Sequence, residues 1–380
     1  MDFTLSKEQR DIVRAARKFA MGEFPDRALE FDREETFDLE LWRKACVLGF
    51  VGVFIDTAYG GAGLGYLEHC LITEEFWAVD PGIGQAIISS TFGSELLLLF
   101  GSEDQKQLVL PQLVSGEAII GTAITEPDAG CDVASATTRA VKEGDEWVIN
   151  GTKMFTTNGT IGKYVLIFCQ TAPENPSRHK RHSFILVPTD TPGYKSKKIQ
   201  GKMGIRASDT AEISLHNVRV PLNNLVGEEG EGFDELMAFF NRTRLHICAQ
   251  AVGAARGALE ESVRHTKERH QFGAPLASFQ VTQFKIAEMA TWIRASRNLY
   301  YEAAWLVDKG KMDHALIAMA KWFSGEIAVR CTDEAVQMHG GYGFIDEFKV
   351  NRLYRAAKVL EIYEGTKEIE KTIISRAILG

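Results

Sequence analysis

Residues 143–151, with the sequence EGDEWVING, determine how this chain is divided, because they place turn signals on both sides of a short apolar run. Glu143-Gly144-Asp145 and Asn150-Gly151 are turn sequences of the kind that join antiparallel strands. The run 146–149 between them is of the β type. The segment therefore predicts strands in the middle of a chain whose two ends are predicted to be helical.

Further strand-like runs lie on both sides of this segment, separated by Gly, Pro, Asn and Asp. They begin after Ser115-Gly116 and continue to about Asn224. A middle domain at 116–226 is therefore predicted, built as a small antiparallel β-barrel or sandwich. The strand-like runs are 146–149, 164–169, 183–187 and 212–215.

Apolar residues at helical spacing predict helices before and after the strands. Ser6 and Gln9 form a candidate capping box for the first of them. The class is therefore α+β, with an N-terminal helical domain at 1–115 and a C-terminal four-helix bundle at 227–380. The predicted helices are 8–20, 37–48, 66–79, 85–100 and 104–114, then 231–269, 279–309, 312–339, 350–362 and 367–378.

Composition excludes several classes of protein. The 380 residues are 45% apolar and 25% charged, which is typical of a globular protein with a sizeable core. The formal charge of −8 argues against nucleic acid or anionic lipid as a partner. No apolar run reaches the roughly 18 residues of a membrane span. The six cysteines are scattered without a CxxC pair, so we expect no metal site, no disulfide framework and a cytoplasmic location.

A basic segment lies within the acidic chain at 178–206, which contains eight cationic residues and one acidic residue, Asp190. Such a segment could bind a phosphate-bearing ligand, with Arg178 and Arg181 as the first candidates. It could equally be a pair of solvated hairpin loops. The cations are Arg178, Lys180, Arg181, Lys195, Lys197, Lys198, Lys202 and Arg206.

The common nucleotide and hydrolase motifs are absent from the sequence. Five other segments of the sequence are distinctive motifs. In this order and spacing they resemble the acyl-CoA dehydrogenase family over essentially the whole chain. The resemblance implies an FAD-dependent enzyme, an acyl-CoA substrate, a homotetramer and an electron-transfer flavoprotein as electron acceptor. The segments are TAITEPDAGCDV (122–133), NGTKMFTTNG (150–159), ERHQFG (268–273), QMHGGYG (337–343) and IYEGT (362–366).

By this resemblance Glu364 is the catalytic base that removes the α-proton of the thioester. Such a base needs a pKa raised by an apolar pocket, and the enolate oxygen needs hydrogen-bond donors. The resemblance implies that the N–H of Glu364 itself is one of these donors. Taken alone, the short motif also fits an exposed acid in a turn. In a variant of the family the base comes from a neighbouring helix, but Thr243 stands at that position here and cannot serve.

The other site residues are also implied by the resemblance. Thr366 is in addition a predicted N-cap. Cys131 and Phe155 depart from a usual Ser and Trp, which weakens a hydrogen bond in one case and keeps the stacking face in the other. The implied flavin contacts are Thr122, Ala123, Ile124, Thr125, Cys131, Phe155, Thr156, Thr157, Arg269, Phe272, Gln280, Gln337, Gly340, Gly341, Thr366 and Glu368. The implied substrate contacts are Cys131, Asn241, Thr243, Arg244 and Gly365, with Arg178 and Arg181 for the CoA phosphates.

The expected reaction is α,β-dehydrogenation of an acyl-CoA to the 2,3-enoyl-CoA, in the degradation of a fatty or other carboxylic acid. By family analogy, the predicted helix 85–100 lines the acyl pocket. That helix has no Lys or Arg, so a second carboxylate would be buried unpaired, and a short, branched or alicyclic acyl group is expected. Two alternatives remain open: a flavin enzyme of this fold with monooxygenase or nitroalkane-oxidase chemistry, and a non-catalytic relative.

Overall fold

A computed structural model describes residues 4–380 of the chain. Helices lie at both ends of the sequence and strands lie between them, which confirms the α+β class. The first part contains α1 (Lys7–Glu23), α2 (Pro25–Glu34), α3 (Leu39–Val47), α4 (Tyr66–Val79), α5 (Pro81–Ile88), α6 (Ser94–Phe100) and α7 (Glu103–Ser115). The middle part contains β1 (Ile120–Ala123), β2 (Arg139–Glu143), β3 (Glu146–Thr157), β4 (Tyr164–Gln170), β5 (His182–Pro188), β6 (Tyr194–Lys198), β7 (Thr210–Pro221) and β8 (Leu225–Val226). The last part contains α8 (Gly232–Glu268), the short pair β9 (His270–Gln271) and β10 (Ala274–Pro275), α9 (Gln280–Asp308), α10 (His314–His339), α11 (Lys349–Ala357) and α12 (Lys367–Leu379).

The helices of the first part follow their sequence signals closely. The capping box of α1 is confirmed, since the Gln9 N–H donates to Ser6 Oγ at 3.1 Å and the Gln9 side chain accepts from the Ser6 N–H at 2.9 Å. The bounds predicted for α4 are also confirmed, and all of its residues except Glu68 are buried. Helix α2, which begins with Pro25 at its first turn, is missing from the prediction.

The predicted helix 85–100 is wrong as a continuous element. Helix α5 ends at Ile88, a 3-10 turn follows, and α6 begins only at Ser94. The break lies at Gly93, where φ is +119° and an added Cβ would lie 2.4 Å from Thr122 Oγ1. Glycine accepts this φ readily, and its lack of a Cβ allows strand β1 to lie close to position 93.

The stretch Pro81–Phe100, which contains α5 and α6, has the length and hydropathy of a membrane-spanning helix. Within residues 4–380 it is the one stretch that does, with a mean hydropathy of 1.4, and 78% of its most apolar window is buried inside the protein. Core helices of globular proteins commonly share these properties, because both environments are apolar. The expectation that the chain has no membrane span stays a prediction.

The middle strands form one mixed sheet in the order β6–β7–β3–β2–β4–β5–β8, with β1 beside β4. Most neighbouring strands are antiparallel, as predicted. The pair β1–β4 is parallel, however, with Ile120 opposite Tyr164 and Ala123 opposite Ile167, and β2 meets β4 in the same sense. A purely antiparallel sheet is therefore wrong at these pairs, because a long irregular connection rather than a tight hairpin follows β1.

The two turn signals of EGDEWVING behave differently. Gly144 forms the predicted hairpin turn between β2 and β3. Asn150-Gly151 does not form a turn, because it lies inside β3 at a shift in register against β7. The amide of Asn150 pairs there with Asn217, accepting its backbone N–H at 2.8 Å. The extra residue of such a bulge bends and twists the strand instead of reversing it.

Three long helices, α8, α9 and α10, pack against one another in the last part, and α12 packs on α10. Helix α8 also crosses α4 closely: a Cβ at Gly253 would lie 2.6 Å from the Glu74 carbonyl oxygen, and one at Gly257 would lie 2.4 Å from that of Ala78. The predicted helix 350–362 ends earlier, since α11 stops at Ala357 and a 3-10 turn follows. The domain boundaries 115/116 and 226/227 stay predictions.

A buried ion pair fixes the loop after β1 to β3. Lys153 is fully buried, and its Nζ donates to Glu126 Oε1 at 2.8 Å and to the Ile124 carbonyl at 2.9 Å. Burial acts to raise the pKa of Glu126, but the Lys153 ammonium and the N–H groups of residues 137 and 138 outweigh it and lower this pKa to about 2.

Replacing Lys153→Met is expected to lower the free energy of unfolding by about 3–5 kcal/mol, because it leaves the Glu126 carboxylate buried without its cation. Because the pKa of Glu126 is lowered on folding, this contribution is present near neutral pH and is lost as pH falls toward 2. Urea unfolding followed by circular dichroism at pH 7 measures the change. Lys197→Met on the exposed strand β6 is the matched control, and an equal loss in both variants would contradict this account.

Candidate active site

Glu364 lies at a sharp turn immediately before α12. Its φ is +57° and that of Gly365 is +102°, so two consecutive residues have left-handed backbone conformations. Glycine tolerates this conformation, whereas for a glutamate it costs on the order of 1 kcal/mol or more and needs support from its surroundings. A Cβ at position 365 would also lie 2.3 Å from Glu370 Oε1. The turn therefore requires Gly365 and an external hold on Glu364.

Helix α8 supplies that hold with two neighbouring residues. Arg244 donates from Nε to the Glu364 carbonyl oxygen at 3.0 Å, and Thr243 donates from Oγ1 to Glu364 Oε2 at 2.5 Å. Both side chains are buried. Asn241 braces the arginine, since its Oδ1 accepts from Arg244 Nη1 at 3.4 Å and its Nδ2 donates to the Met237 carbonyl. These three predicted substrate contacts therefore surround the Glu364 turn.

Glu364 is half-buried, and this position raises the pKa of its carboxyl group. Burial raises the pKa of Glu364 to about 7, although the Thr243 hydroxyl and the cations of Arg244 and Lys321 act in the opposite direction. A carboxyl group with this pKa can accept and release a proton near neutral pH. An exposed acid in a turn would not have this property.

Two residues that the sequence analysis did not assign to the site complete the turn. Lys321 on α10 is buried and donates from Nζ to the Gly365 carbonyl oxygen. Glu370 on α12 is fully buried and pairs with Arg244, with Glu370 Oε1 3.0 Å from Arg244 Nε. A lysine inside the apolar run 315–323 was an available signal for the first. No local signal separates Glu370 from the exposed Glu368 on the same helix.

Most of the predicted flavin contacts at the end of β1 are buried or already take part in hydrogen bonds within the protein. The Thr122 hydroxyl donates to the Phe92 carbonyl at 3.1 Å, and Ala123 is fully buried. Ile124 and Thr125 are half-buried, and their carbonyl oxygens accept from Lys153 Nζ and from the Met154 N–H. Thr122 and Ala123 are therefore buried within the paired strand β1, and the Thr122 hydroxyl is already bonded within the protein.

The predicted contacts on β3 are instead available. Phe155 has a left-handed φ of +57°, and the residue is 63% exposed. Thr156 Oγ1 is buried without a hydrogen-bond partner within residues 4–380. An exposed aromatic ring beside an unpaired buried hydroxyl is the kind of surface that an aromatic heterocycle with hydrogen-bonding edges would cover. Thr157, the next residue, is half-buried.

Cys131 joins the segment 122–133 to the Glu364 turn. Its thiol is exposed, and Sγ lies 3.9 Å from Thr366 Oγ1. Thr366 occupies the N-cap position of α12 as predicted, but its side chain makes no capping hydrogen bond. Its hydroxyl instead faces Cys131 and Glu368, where the Glu368 backbone N–H and this hydroxyl lower the pKa of the exposed Glu368 carboxyl. The segment 122–133 and the motif 362–366 therefore meet in space.

The basic segment 178–206 does not form one free cationic surface. Arg178 pairs with Asp132, the neighbour of Cys131, and Lys180 pairs with Glu231 and Asp234. Arg181 donates from Nε to the Asn175 carbonyl at 2.8 Å. Lys198, Lys202 and Arg206 fold onto backbone carbonyl oxygens, whereas Lys195 and Lys197 are exposed on β6. Arg178 is thus close to the Cys131 loop, but an acidic group already pairs with it.

The remaining predicted flavin contacts lie at the other end of α8. Arg269 follows that helix, its guanidinium lies 5.7 Å from the Tyr342 ring, and it is about 37 Å along the helix from Arg244. Phe272 is 97% exposed, so the chain itself does not cover it. One chain therefore does not bring this second group to Glu364. The group consists of Arg269, Phe272, Gln280, Gln337, Gly340 and Gly341, all of them exposed.

The residues present fit the two ends of an FAD molecule as two separate groups. Phe155 and the unpaired Thr156 hydroxyl suit a flavin ring, as described above. The exposed guanidinium of Arg269 suits a diphosphate, because its fork of donors matches phosphate oxygens. Gly340 has a φ of +61° and no atom within 4 Å of an added Cβ, so its backbone is open to a ligand. Within residues 4–380 no group of three or more metal-ligating side chains is found.

Buried polar side chains that the sequence analysis missed extend from the turn toward α4, α5 and α6. The Tyr363 hydroxyl donates to Gln250, whose amide donates to Gln85 at 2.9 Å. The Tyr66 hydroxyl donates to Glu95 Oε1 at 2.9 Å, and burial raises the pKa of Glu95. Glu95 lies close enough to Glu364 to raise its pKa further.

Comparison with known proteins agrees with this architecture. Three profiles match the chain in order: the N-terminal domain of acyl-CoA dehydrogenase at residues 6–117, its middle domain at 121–218 and its C-terminal domain at 230–379. A probable acyl-CoA dehydrogenase, YngJ, of Bacillus subtilis is 39% identical over the full length of both chains. A cyclohex-1-ene-1-carbonyl-CoA dehydrogenase of Geobacter metallireducens is 39% identical over 99% of both.

Solved structures show the same likeness. The structure of butyryl-CoA dehydrogenase from Megasphaera elsdenii superimposes with a TM-score of 0.96 at 35% identity and covers 100% of both chains. Both the sequence relatives and this structure match over essentially the full length, and the resemblance stated from the five motifs is confirmed. The chain belongs to the acyl-CoA dehydrogenase family, oxidoreductases that act on the CH–CH group of acyl-CoA.

Proposed function

We propose that this enzyme uses FAD to dehydrogenate a short, branched or alicyclic acyl-CoA to the 2,3-enoyl-CoA, with Glu364 as the catalytic base. The observation that carries the proposal is the half-buried Glu364 carboxyl, whose pKa burial raises to about 7, on a turn that Thr243 and Arg244 hold by hydrogen bonds. FAD, when bound, supplies the two-electron acceptor that takes the hydride from the β-carbon. Phe155, Thr156 and Thr157 are the candidates to hold its ring.

The chain's own part in the reaction is the removal of the α-proton. Burial raises the pKa of the Glu364 carboxyl to near neutral pH. One of its two carboxylate oxygens can therefore accept the proton that leaves Cα of the substrate. The Glu364 backbone N–H donates to no group within residues 4–380. It is therefore free to donate to the thioester oxygen, where negative charge develops as the proton leaves.

The proposed acyl group follows from the buried acid next to the site. Glu95 is 2% exposed and lies near Glu364, so a second carboxylate on the acyl chain would be placed close to it. Arg242 on α8 lowers the pKa of Glu95 only as a minor influence, and its Nη1 donates to the Ala238 carbonyl oxygen at 3.3 Å. This arrangement supports a neutral acyl chain over a dicarboxylic one such as glutaryl-CoA.

We also propose that the working enzyme is a homotetramer that passes electrons to an electron-transfer flavoprotein. The two separate groups of flavin contacts support an oligomer, because about 37 Å of helix α8 separates Arg269 from the Glu364 turn in one chain. A neighbouring chain would bring its own Arg269 group to the Phe155 surface. The exposed Phe272 would then be covered.

Replacing Glu364→Gln is expected to lower kcat about 10³-fold, because the amide cannot accept the α-proton. The loss of flavin absorbance on anaerobic addition of butyryl-CoA measures this step. Bound FAD and the affinity for acyl-CoA should remain. Glu117→Gln, an exposed acid after α7, is the matched control and should react like the unmodified enzyme. Full activity of Glu364→Gln would exclude Glu364 as the base.

The pH dependence of kcat/KM is expected to rise with pH through a midpoint near 7, because the free base must be ionised. Thr243→Val removes a hydroxyl that stabilises the ionised carboxyl, so the midpoint should move up by as much as about one pH unit. Thr243→Ser keeps the hydroxyl and should retain the original midpoint. A downward shift in Thr243→Val would contradict the hydrogen bond as described.

A panel of acyl-CoA esters tests the proposed substrate class by the anaerobic rate of flavin bleaching. Butyryl-CoA, isobutyryl-CoA and a cyclohexanecarbonyl-CoA should react about tenfold or more faster than glutaryl-CoA, since an unpaired buried carboxylate costs more than the roughly 1–3 kcal/mol of a neutral polar group. The proposed short, branched or alicyclic class also predicts that they react faster than palmitoyl-CoA. Oxygen consumption measured in the same reactions detects the alternative oxidase chemistry. A clear preference for glutaryl-CoA or palmitoyl-CoA would overturn the proposed class.

A further inference from the structure

A second carboxyl group lies directly beneath the Glu364 turn. Glu370 is 0% exposed, and its Oε1 occupies the space where a side chain on Gly365 would begin. Its Oε1 lies 3.0 Å from Arg244 Nε as an ion pair. Neither of its oxygens has a hydrogen bond within residues 4–380. A fully buried acid with an ion pair and no hydrogen bond is unusual and calls for a physical explanation.

The charged groups around Glu370 come from three elements. Arg244 and Cys248 face it from α8, Lys321 faces it from α10, and Glu364 faces the same two cations from the turn. Arg244 is 4% exposed and Lys321 is 1% exposed. Burial raises the pKa of Cys248, so the thiol is neutral near pH 7. Burial also raises the pKa of Glu370 to about 7, although Arg244 and Lys321 act in the opposite direction. Above this pH the cluster is therefore two ionised acids and two cations.

The two cations are present because they hold the turn. Arg244 donates to the carbonyl oxygen of Glu364, and Lys321 donates to that of Gly365. Buried cations need buried anions, since an uncompensated charge in the interior is costly. Glu364 cannot serve as their lasting counter-ion, because the proposed reaction neutralises it each time it takes a proton.

Glu370 changes the charge balance of that step. With Glu370 ionised, proton uptake by Glu364 takes the cluster from zero to one net positive charge. With a neutral residue at position 370, the same step would take it from one to two. The second case opposes protonation of Glu364 more strongly, because the added proton is repelled by more uncompensated charge.

We propose that Glu370 is a positioning residue for the catalytic carboxylate, a buried counter-ion through which Arg244 and Lys321 can hold the Glu364–Gly365 turn without making Glu364 a weak base. The proposal rests on the proposed role of Glu364. Glu370 itself touches neither substrate nor flavin in this account, and it acts through the two cations.

The test compares Glu370→Gln with Glu302→Gln, an exposed acid on α9, in the holoenzyme. In Glu370→Gln the pH midpoint of kcat/KM should fall by about one unit or more, because the unbalanced cations stabilise ionised Glu364. The plateau kcat should fall about three- to tenfold as the base weakens, with KM nearly unchanged. Glu302→Gln should match the unmodified enzyme in all three quantities. A midpoint that stays in place or moves upward in Glu370→Gln overturns the proposal.

A readout without turnover separates this proposal from the proposed function. Difference infrared titration of the holoenzyme follows the carboxyl band that disappears in Glu364→Gln, and its midpoint should fall in Glu370→Gln. If the unmodified enzyme dehydrogenates no acyl-CoA, the proposed function fails while this titration still decides the charge relation. Should Glu370→Gln not fold, Lys321→Met removes a cation instead. Its infrared midpoint should rise, and an unchanged midpoint would overturn the proposal.

Discussion

The burial of the Glu364 carboxyl is the constraint on which the rest of this site depends. For the proposed removal of a thioester α-proton, a carboxyl group in water is too weak a base, and burial is what raises the pKa of Glu364 to about 7. Burying an ionised carboxyl group is energetically unfavourable, so other contacts must hold the turn in place. The hydrogen bonds from Arg244, Thr243 and Lys321 to this turn supply those contacts.

The fold brings these contacts together from distant parts of the sequence. Helix α8 carries Thr243 and Arg244, α10 carries Lys321, and the turn lies between α11 and α12. The close crossing of α8 over α4 at Gly253 and Gly257 joins the first helices to the last ones. On the other side, the loop after β1 is fixed by the buried Lys153–Glu126 pair and reaches Thr366 through Cys131. The site therefore lies where all three parts of the chain meet.

Sequence reasoning succeeded where the signal was local or carried by a long motif. The capping box at Ser6, the bounds of α4 and the hairpin at Gly144 all follow from neighbouring residues. It failed where a distant contact overrode the local pattern. Asn150-Gly151 has an ordinary hairpin sequence, yet its pairing with Asn217 on β7 keeps it inside a strand. The helix predicted over 85–100 is interrupted because β1 approaches Gly93, and nothing within that stretch indicates the approach.

The amino-acid sequence by itself determined the family, the order of helices and strands, and Glu364 as the proposed base, because these depend on motifs and periodicities carried along the chain. Only the tertiary structure decided which charges are buried with that base. Glu368 and Glu370 lie two residues apart, about 200° around the same helix, so one faces solvent and the other faces Arg244. Both residues are glutamates in the first turns of the same helix, so the sequence alone does not distinguish them. Their different burial arises from the packing of α8 and α10 against one face of α12.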